Sequence, residues 1–164
     1  MCFLSYLFHE KYSNYSTRIF VIMSGDILHP LWIASSDDRG HINFLKKARA
    51  LSTKCHLVVG IQSDADLKAL KREPVMNFKE RFELLSSCKY IDEIVVCERE
   101  ITRDFIDRHK IDLVVHGDDI KNDPDSLRAY RAPQEMGILK FVKYTKGIST
   151  TDIIERITDH VAFL

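Results

Sequence analysis

The sequence has no excess of charge of either sign: Lys+Arg and Asp+Glu each number 24 in 164 residues. That balance excludes a global basic field for nucleic acid or an anionic membrane, so any anion must be bound locally. No Cys-x-x-Cys pair and no metal-ligand spacing connects the four cysteines, Cys2, Cys55, Cys88 and Cys97. They are read as free thiols, as in a reducing compartment, with Cys55 and Cys88 buried because they lie in or beside apolar runs. No hydrophobic run is long enough to span a bilayer. The N-terminal MCFLSYLFHEKY is briefly apolar, but it lacks a basic lead and His9-Glu10-Lys11 ends it early, which makes a poor signal peptide. Repeats, linkers and low-complexity tracts are also missing. These absences leave a cytoplasmic protein of one domain, long enough to bury a core. Residues 1–17 read as an N-terminal extension and 18–164 as the domain.

What is present is an alternation of short apolar runs and amphipathic stretches. Arg18–Met23 (RIFVIM), His56–Ile61 (HLVVGI), Ile91–Val96 (IDEIVV), Asp112–His116 (DLVVH) and Ile138–Val142 each read as a strand, the continuous runs as strands buried on both faces. Between them, Ile42, Leu45, Ala48, Phe44 and Leu51 fall at helical spacing with Lys46, Lys47 and Arg49 outward. Asn77 with Glu80 predicts a capping box for a helix over Phe78–Cys88, with Phe78, Phe82 and Leu85 on its inner face. Further helices are expected at Thr102–His109 (Phe105 and Ile106 inward), near Arg128–Met136, and after a Ser149/Asp152 cap. Strands alternating with helices specify an α/β fold: a Rossmann-like parallel five-stranded sheet flanked by helices.

In such a sheet ligands bind beyond the carboxyl ends of the strands. Ser24 to His29, Ser63-Asp64, Gly117 to Asp119 and Lys143 to Thr151 all follow strands. A lone histidine is ordinarily structural, and His56, His109 and His160 are read so. His29 and His41 differ, because Asp26, Pro30 and Gly40 surround them at a strand-to-helix turn. Two imidazoles and a helix N-terminus there can donate hydrogen bonds to phosphate oxygens. His116-Gly117-Asp118-Asp119 is either an ordinary turn or a carboxylate pair facing a ligand. Gly147-Ile148-Ser149-Thr150-Thr151-Asp152 is either a plain cap or a phosphate cradle of hydroxyls and N–H groups.

The nine residues Leu31–Arg39 separate His29-Pro30 from Gly40-His41; without them the chain reads SGDILHPGHINFL. With KYIDEIV (Lys89–Val95), HGDDI and GISTT in that order, the chain resembles the HxGH nucleotidyltransferases. It is most similar to the cytidylyltransferases that act on ethanolamine phosphate. The resemblance implies CMP transfer from CTP to a phospho-alcohol, foremost phosphoethanolamine, with release of pyrophosphate for phospholipid synthesis. It implies catalysis by positioning and electrostatics, without a covalent intermediate, by His29, His41 and Lys71, a loop lysine clamping phosphates. It places Ser24, Asp26, Gly40, Arg81, Gly117, Ile148, Ser149, Thr150 and Thr151 at the nucleotide, with Asp92 helping to hold the site. Asp119, Glu100 and Tyr130 would meet the alcohol, carboxylates suiting a primary ammonium better than choline. Mg²⁺ would arrive on the CTP phosphates rather than in a protein cage, and a homodimer is implied. The family's arginine before GISTT is replaced by Tyr144, and the glycine after its lysine by Arg72. Phosphocholine or glycerol-3-phosphate as substrate, or a catalytically silent nucleotide-binding homologue with its HxGH interrupted, are the alternatives.

Overall fold

A computed structural model describes residues 17–23, 39–70, 74, 76–143 and 159. Strands β1 (Thr17–Met23), β2 (Cys55–Ile61), β3 (Glu93–Val96), β4 (Leu113–Gly117) and β5 (Leu139–Val142) form one sheet. The order is β3-β2-β1-β4-β5 and every pairing is parallel. The chain winds outward from β1 to β3, then returns to the other side of β1 for β4 and β5. The order therefore reverses beside β1, where a parallel sheet opens a crevice at its carboxyl ends.

The continuous apolar runs are continuous because both sheet faces are covered. Arg18 to Met23 and all of β2 are buried. Ile19, Val21, Met23, Leu57, Val59 and Ile61 point to one face, where Leu45 and Ala48 of α1 (Arg39–Arg49) and Leu85 of α3 (Phe78–Ser86) close the core. Phe20, Ile22, Val58 and Val114 point to the other, against Ile101, Ile106 of α4 (Arg103–His109), Ile111 and Tyr130. At Gly60 a Cβ would lie 2.6 Å from both Phe20 Cζ and Cys97 Sγ, so only glycine lets the ring cross the strand. A shorter helix, α2 (Asp64–Leu70), follows β2.

The expected strands begin and end within two residues of the observed ones, and β1 already includes Thr17. Three differences have physical causes. The third strand starts at Glu93, not Ile91, because the Ile91 N–H bonds Cys88 O in a turn. The inner face of α3 is set by Arg81 and Leu85, both buried, while Phe82 is 42% exposed. The expected capping box is present, with Asn77 and Glu80 each accepting from the other's backbone N–H. The helix expected at Arg128–Met136 is instead two, α5 (Pro124–Arg128) and α6 (Arg131–Glu135), broken at Ala129-Tyr130. Pro133 has no N–H to give Ala129 O, and that carbonyl accepts from Ile101 N at 2.9 Å. The final helix after Ser149 and Asp152 lies outside the described residues, except that Asp159 is helical.

Cys55 and Cys97 are buried free thiols, whereas Cys88 is only half-buried. Burial pushes the Cys97 thiol up to about 12, with the charges of Asp66 and Glu98 adding to it. His56 is structural: its Nε2 lies 2.9 Å from Glu93 Oε2, which also accepts from Arg18 Nη2 at 3.0 Å. His109 is half-buried, packs at a tilt against Phe105 with ring centroids 4.4 Å apart, and is held below the ordinary histidine value chiefly by burial.

Candidate functional site

At the carboxyl end of β2, Gln62, Ser63 and Asp64 turn the chain into α2. Arg81 holds this turn from below. It donates Nη1 to Gln62 O at 2.8 Å, Nε to Met76 O at 3.2 Å and Nη2 to Asp64 Oδ1 at 2.5 Å. The side chain is wholly buried, and Phe78 lies under the guanidinium at 5.7 Å. Expected against the nucleotide, Arg81 here commits its donors to protein acceptors and braces the loop. Asp64 also accepts the Phe78 N–H at 3.0 Å. That backbone hydrogen bond, then the Arg81 guanidinium, hold its carboxyl below the usual range against the opposing cost of burial.

Two carboxyl-end loops converge on Tyr130. The Ile101–Ala129 hydrogen bond seats the segment after β3 beside the α5–α6 break, bringing exposed Glu100 close enough to act on Arg131. From the other side, β4 ends at buried Gly117 and passes into a 3-10 turn, Asp118–Ile120. His116 stands edge-on to the Tyr130 ring with centroids 5.1 Å apart. Its Nδ1 faces Gly117 O at 3.0 Å and Asp119 Oδ1 at 3.7 Å. Tyr130 is 5% exposed, and its phenol is pushed well above its ordinary value by burial first, then by Cys97 and Asp119. Asp119 thus acts on the Tyr130 phenol and Glu100 on the neighbouring Arg131, from loops on either side of the α5–α6 break. His116 packs against Tyr130 as well; the sequence showed it only as the first residue of a turn motif.

Gly40 and His41 lie in the first turn of α1, with His41 exposed. That turn itself contains no acidic residue. Asp92 touches the far end of the same helix. It accepts from Leu57 N at 2.8 Å and pairs with Arg49, near the amino ends of β2 and β3. It therefore anchors the helix that carries His41 from the side of the sheet opposite the loops. Ser24, Asp26, His29, Lys71, Ile148, Ser149, Thr150 and Thr151 lie outside the described residues. Among the described residues no group of three or more His, Cys, Asp or Glu could hold a metal ion. No helix among them is long and apolar enough to cross a membrane.

A doubly wound parallel sheet with its polar loops gathered at the strands' carboxyl ends defines a Rossmann-like α/β protein of the ligand-binding kind. Within that class the chain belongs to the cytidylyltransferase-like family, whose model matches residues 38–156. It is 40% identical over 126 residues to an ethanolamine-phosphate cytidylyltransferase from Dictyostelium discoideum, covering 74% of this chain and 34% of that one. A protein of the same name from Arabidopsis thaliana is 39% identical over 123 residues, covering 72% and 29%. A probable choline-phosphate cytidylyltransferase from Schizosaccharomyces pombe is 39% identical over 119 residues, covering 72% and 33%. The chain spans about a third of the length of these curated relatives. A solved lipopolysaccharide core biosynthesis protein from Thermoplasma volcanium shares the fold. Its TM-score is 0.56 at 24% identity, covering 79% of this chain and 98% of that one.

Proposed function

We propose that this domain transfers CMP from CTP to phosphoethanolamine, releasing pyrophosphate and forming CDP-ethanolamine for phospholipid synthesis. A phosphate oxygen of the acceptor attacks the α-phosphorus, the bond to the β-phosphate's bridging oxygen breaks, and pyrophosphate leaves with that electron pair. His41 at the start of α1, with His29, donates hydrogen bonds to the α-phosphate as charge builds on it. Lys71 grips the outer phosphates, and Ser149 to Thr151 with Ser24, Asp26, Gly40, Gly117 and Ile148 cradle the nucleotide. The residues need only bind, orient and neutralise. Mg²⁺ bound with CTP would supply charge neutralisation of its phosphates. The working form is a cytoplasmic homodimer.

The observation that supports the choice of acceptor is a carboxylate beyond β4, Asp119, acting on Tyr130 and another beyond β3, Glu100, acting on the adjacent Arg131, in a chain of this family. An ammonium with N–H donors is satisfied by carboxylates. A trimethylammonium has none and favours an open aromatic cage, whereas Tyr130 is nearly covered.

The test is pyrophosphate release from CTP with phosphoethanolamine, phosphocholine or glycerol-3-phosphate. It is run on this chain and on a version lacking residues 31–39. Release is expected to be fastest with phosphoethanolamine and to fall by about 10²–10³ in His41→Ala. Release only from the shortened chain would make the nine residues an off-switch. No release from either form with any acceptor would refute the enzyme reading in favour of a silent nucleotide-binding homologue.

A further inference from the structure

Gln62, the first residue beyond β2, carries an amide that neither the fold nor the proposed reaction uses. It is 2% exposed, and its side-chain Oε1 is buried without a hydrogen-bond partner. The backbone carbonyl of the same residue is satisfied, since Arg81 Nη1 donates to it at 2.8 Å. The side-chain oxygen gives up its hydration and gains nothing in return. An apolar side chain of the same size would fill the position without that penalty. A donor that arrives with a ligand accounts for the oxygen being there.

The place of Gln62 in the sheet says what kind of donor fits. β2 ends at the carboxyl edge beside β1, where the crevice opens. Side chains alternate between faces along a strand. Ile61 packs in the core closed by α1 and α3, while Gly60 faces Phe20 and Cys97. Gln62 follows Gly60 to that second face, the face of Tyr130. Tyr130 has His116 of β4 on one side, with ring centroids 5.1 Å apart, and feels Cys97, just after β3, on the other. It therefore spans the carboxyl end from β4 towards β3, across β1 and β2. Carboxylates act on both of its flanks: Asp119 on the phenol, and Asp66, which accepts from Ser63 Oγ at 2.5 Å, on the Cys97 thiol. A cation with N–H donors suits an unpaired carbonyl oxygen beside carboxylates. A phosphate oxygen suits neither, being an acceptor of like charge.

We infer that Gln62 is a specificity-determining residue for the acceptor, its Oε1 taking a hydrogen bond from a primary ammonium. The inference rests on the transfer reading above and adds a residue to it. A trimethylammonium has no N–H to give, so phosphocholine would leave the oxygen unpaired in the complex too, which is how a buried acceptor rejects an analogue. The test is Gln62→Met in the full chain, which removes the oxygen at nearly constant volume. Urea unfolding should find the variant at least as stable as wild type, because no paired group is lost. KM for phosphoethanolamine should rise about tenfold or more, with KM for CTP within about twofold and KM for phosphocholine no higher than in wild type. Unchanged KM for phosphoethanolamine would overturn the inference and leave the transfer reading intact. A rise for CTP alone, or an equal rise for phosphocholine, would overturn it as well, since the oxygen would then not be reading the ammonium. Lost stability with every KM unchanged would make Gln62 a structural amide. If wild type releases no pyrophosphate with any acceptor, the transfer reading fails and binding alone decides the inference. With CTP present, phosphoethanolamine should then raise the melting midpoint of wild type but not of Gln62→Met, and an equal rise in both would overturn it.

Discussion

Replacing Arg81 with Met keeps much of the side chain's volume and removes its guanidinium. Three acceptors then lose a charged donor: Gln62 O, Met76 O and Asp64 Oδ1. Gln62 O sits in a buried environment and is left without its 2.8 Å partner, at a cost of about 1–3 kcal/mol. Loss of the weaker 3.2 Å bond to Met76 O costs about 1 kcal/mol. Asp64 is 41% exposed, so water takes over its solvation, and the ion pair counts for no more than about 1 kcal/mol. The sum is about 2–5 kcal/mol, a large part of the about 5–15 kcal/mol that holds a domain together. For this size the midpoint should fall by roughly 10 °C. Urea unfolding and thermal melting of Arg81→Met measure it, with Arg81→Lys expected to recover under half, because one ammonium cannot span three acceptors. A loss below about 1 kcal/mol in Arg81→Met would refute the bracing role.

The remaining predictions concern acid stability, packing and specificity. The folded Asp64 carboxyl lies below its ordinary value, so its contribution is complete above pH ~4 and is lost as pH falls below that. Asp64→Asn should therefore flatten the acid limb of a stability–pH curve without changing its shape at neutral pH. Gly60→Ala forces Phe20 and Cys97 aside and should cost about 1–3 kcal/mol in urea unfolding. Cys97→Ala should not rescue it, because the Phe20 ring remains. On the proposed function, Tyr130→Ala should raise KM for phosphoethanolamine by about tenfold or more with KM for CTP little changed, as separate saturation curves would show. Tyr130→Phe should retain most of the packing.

Much of the fold was legible because its causes are local. The five strands were readable as short apolar runs, because a parallel sheet buried on both faces needs side chains that suit both cores. The Asn77–Glu80 box was readable because its two hydrogen bonds join residues three apart. The α5–α6 break was not, because it depends on a carbonyl at Ala129 meeting an N–H at Ile101 from a distant segment. Phe82 was assigned to the inner face of α3 by hydrophobicity alone. The helix instead turned Arg81 inward, since its guanidinium finds three oxygens there that no neighbouring residue announces.

The candidate site divides along the same line. Sequence by itself determined which residue types follow which strands: the carboxylates and glycine after β4, the histidine opening α1, and the order of motifs that mark the family. Spacing along the chain carries that information, because a strand-to-loop junction always delivers its residues to the same end of a parallel sheet. Only the tertiary structure decided that the segment after β3 docks on the α5–α6 break, that His116 of β4 packs on Tyr130, and that Arg81 braces the β2 loop. It also set β3 at the edge with Val96 uncovered. Those outcomes depend on strand order and on contacts between segments far apart in sequence, where burial and unsatisfied hydrogen-bonding groups choose the partner.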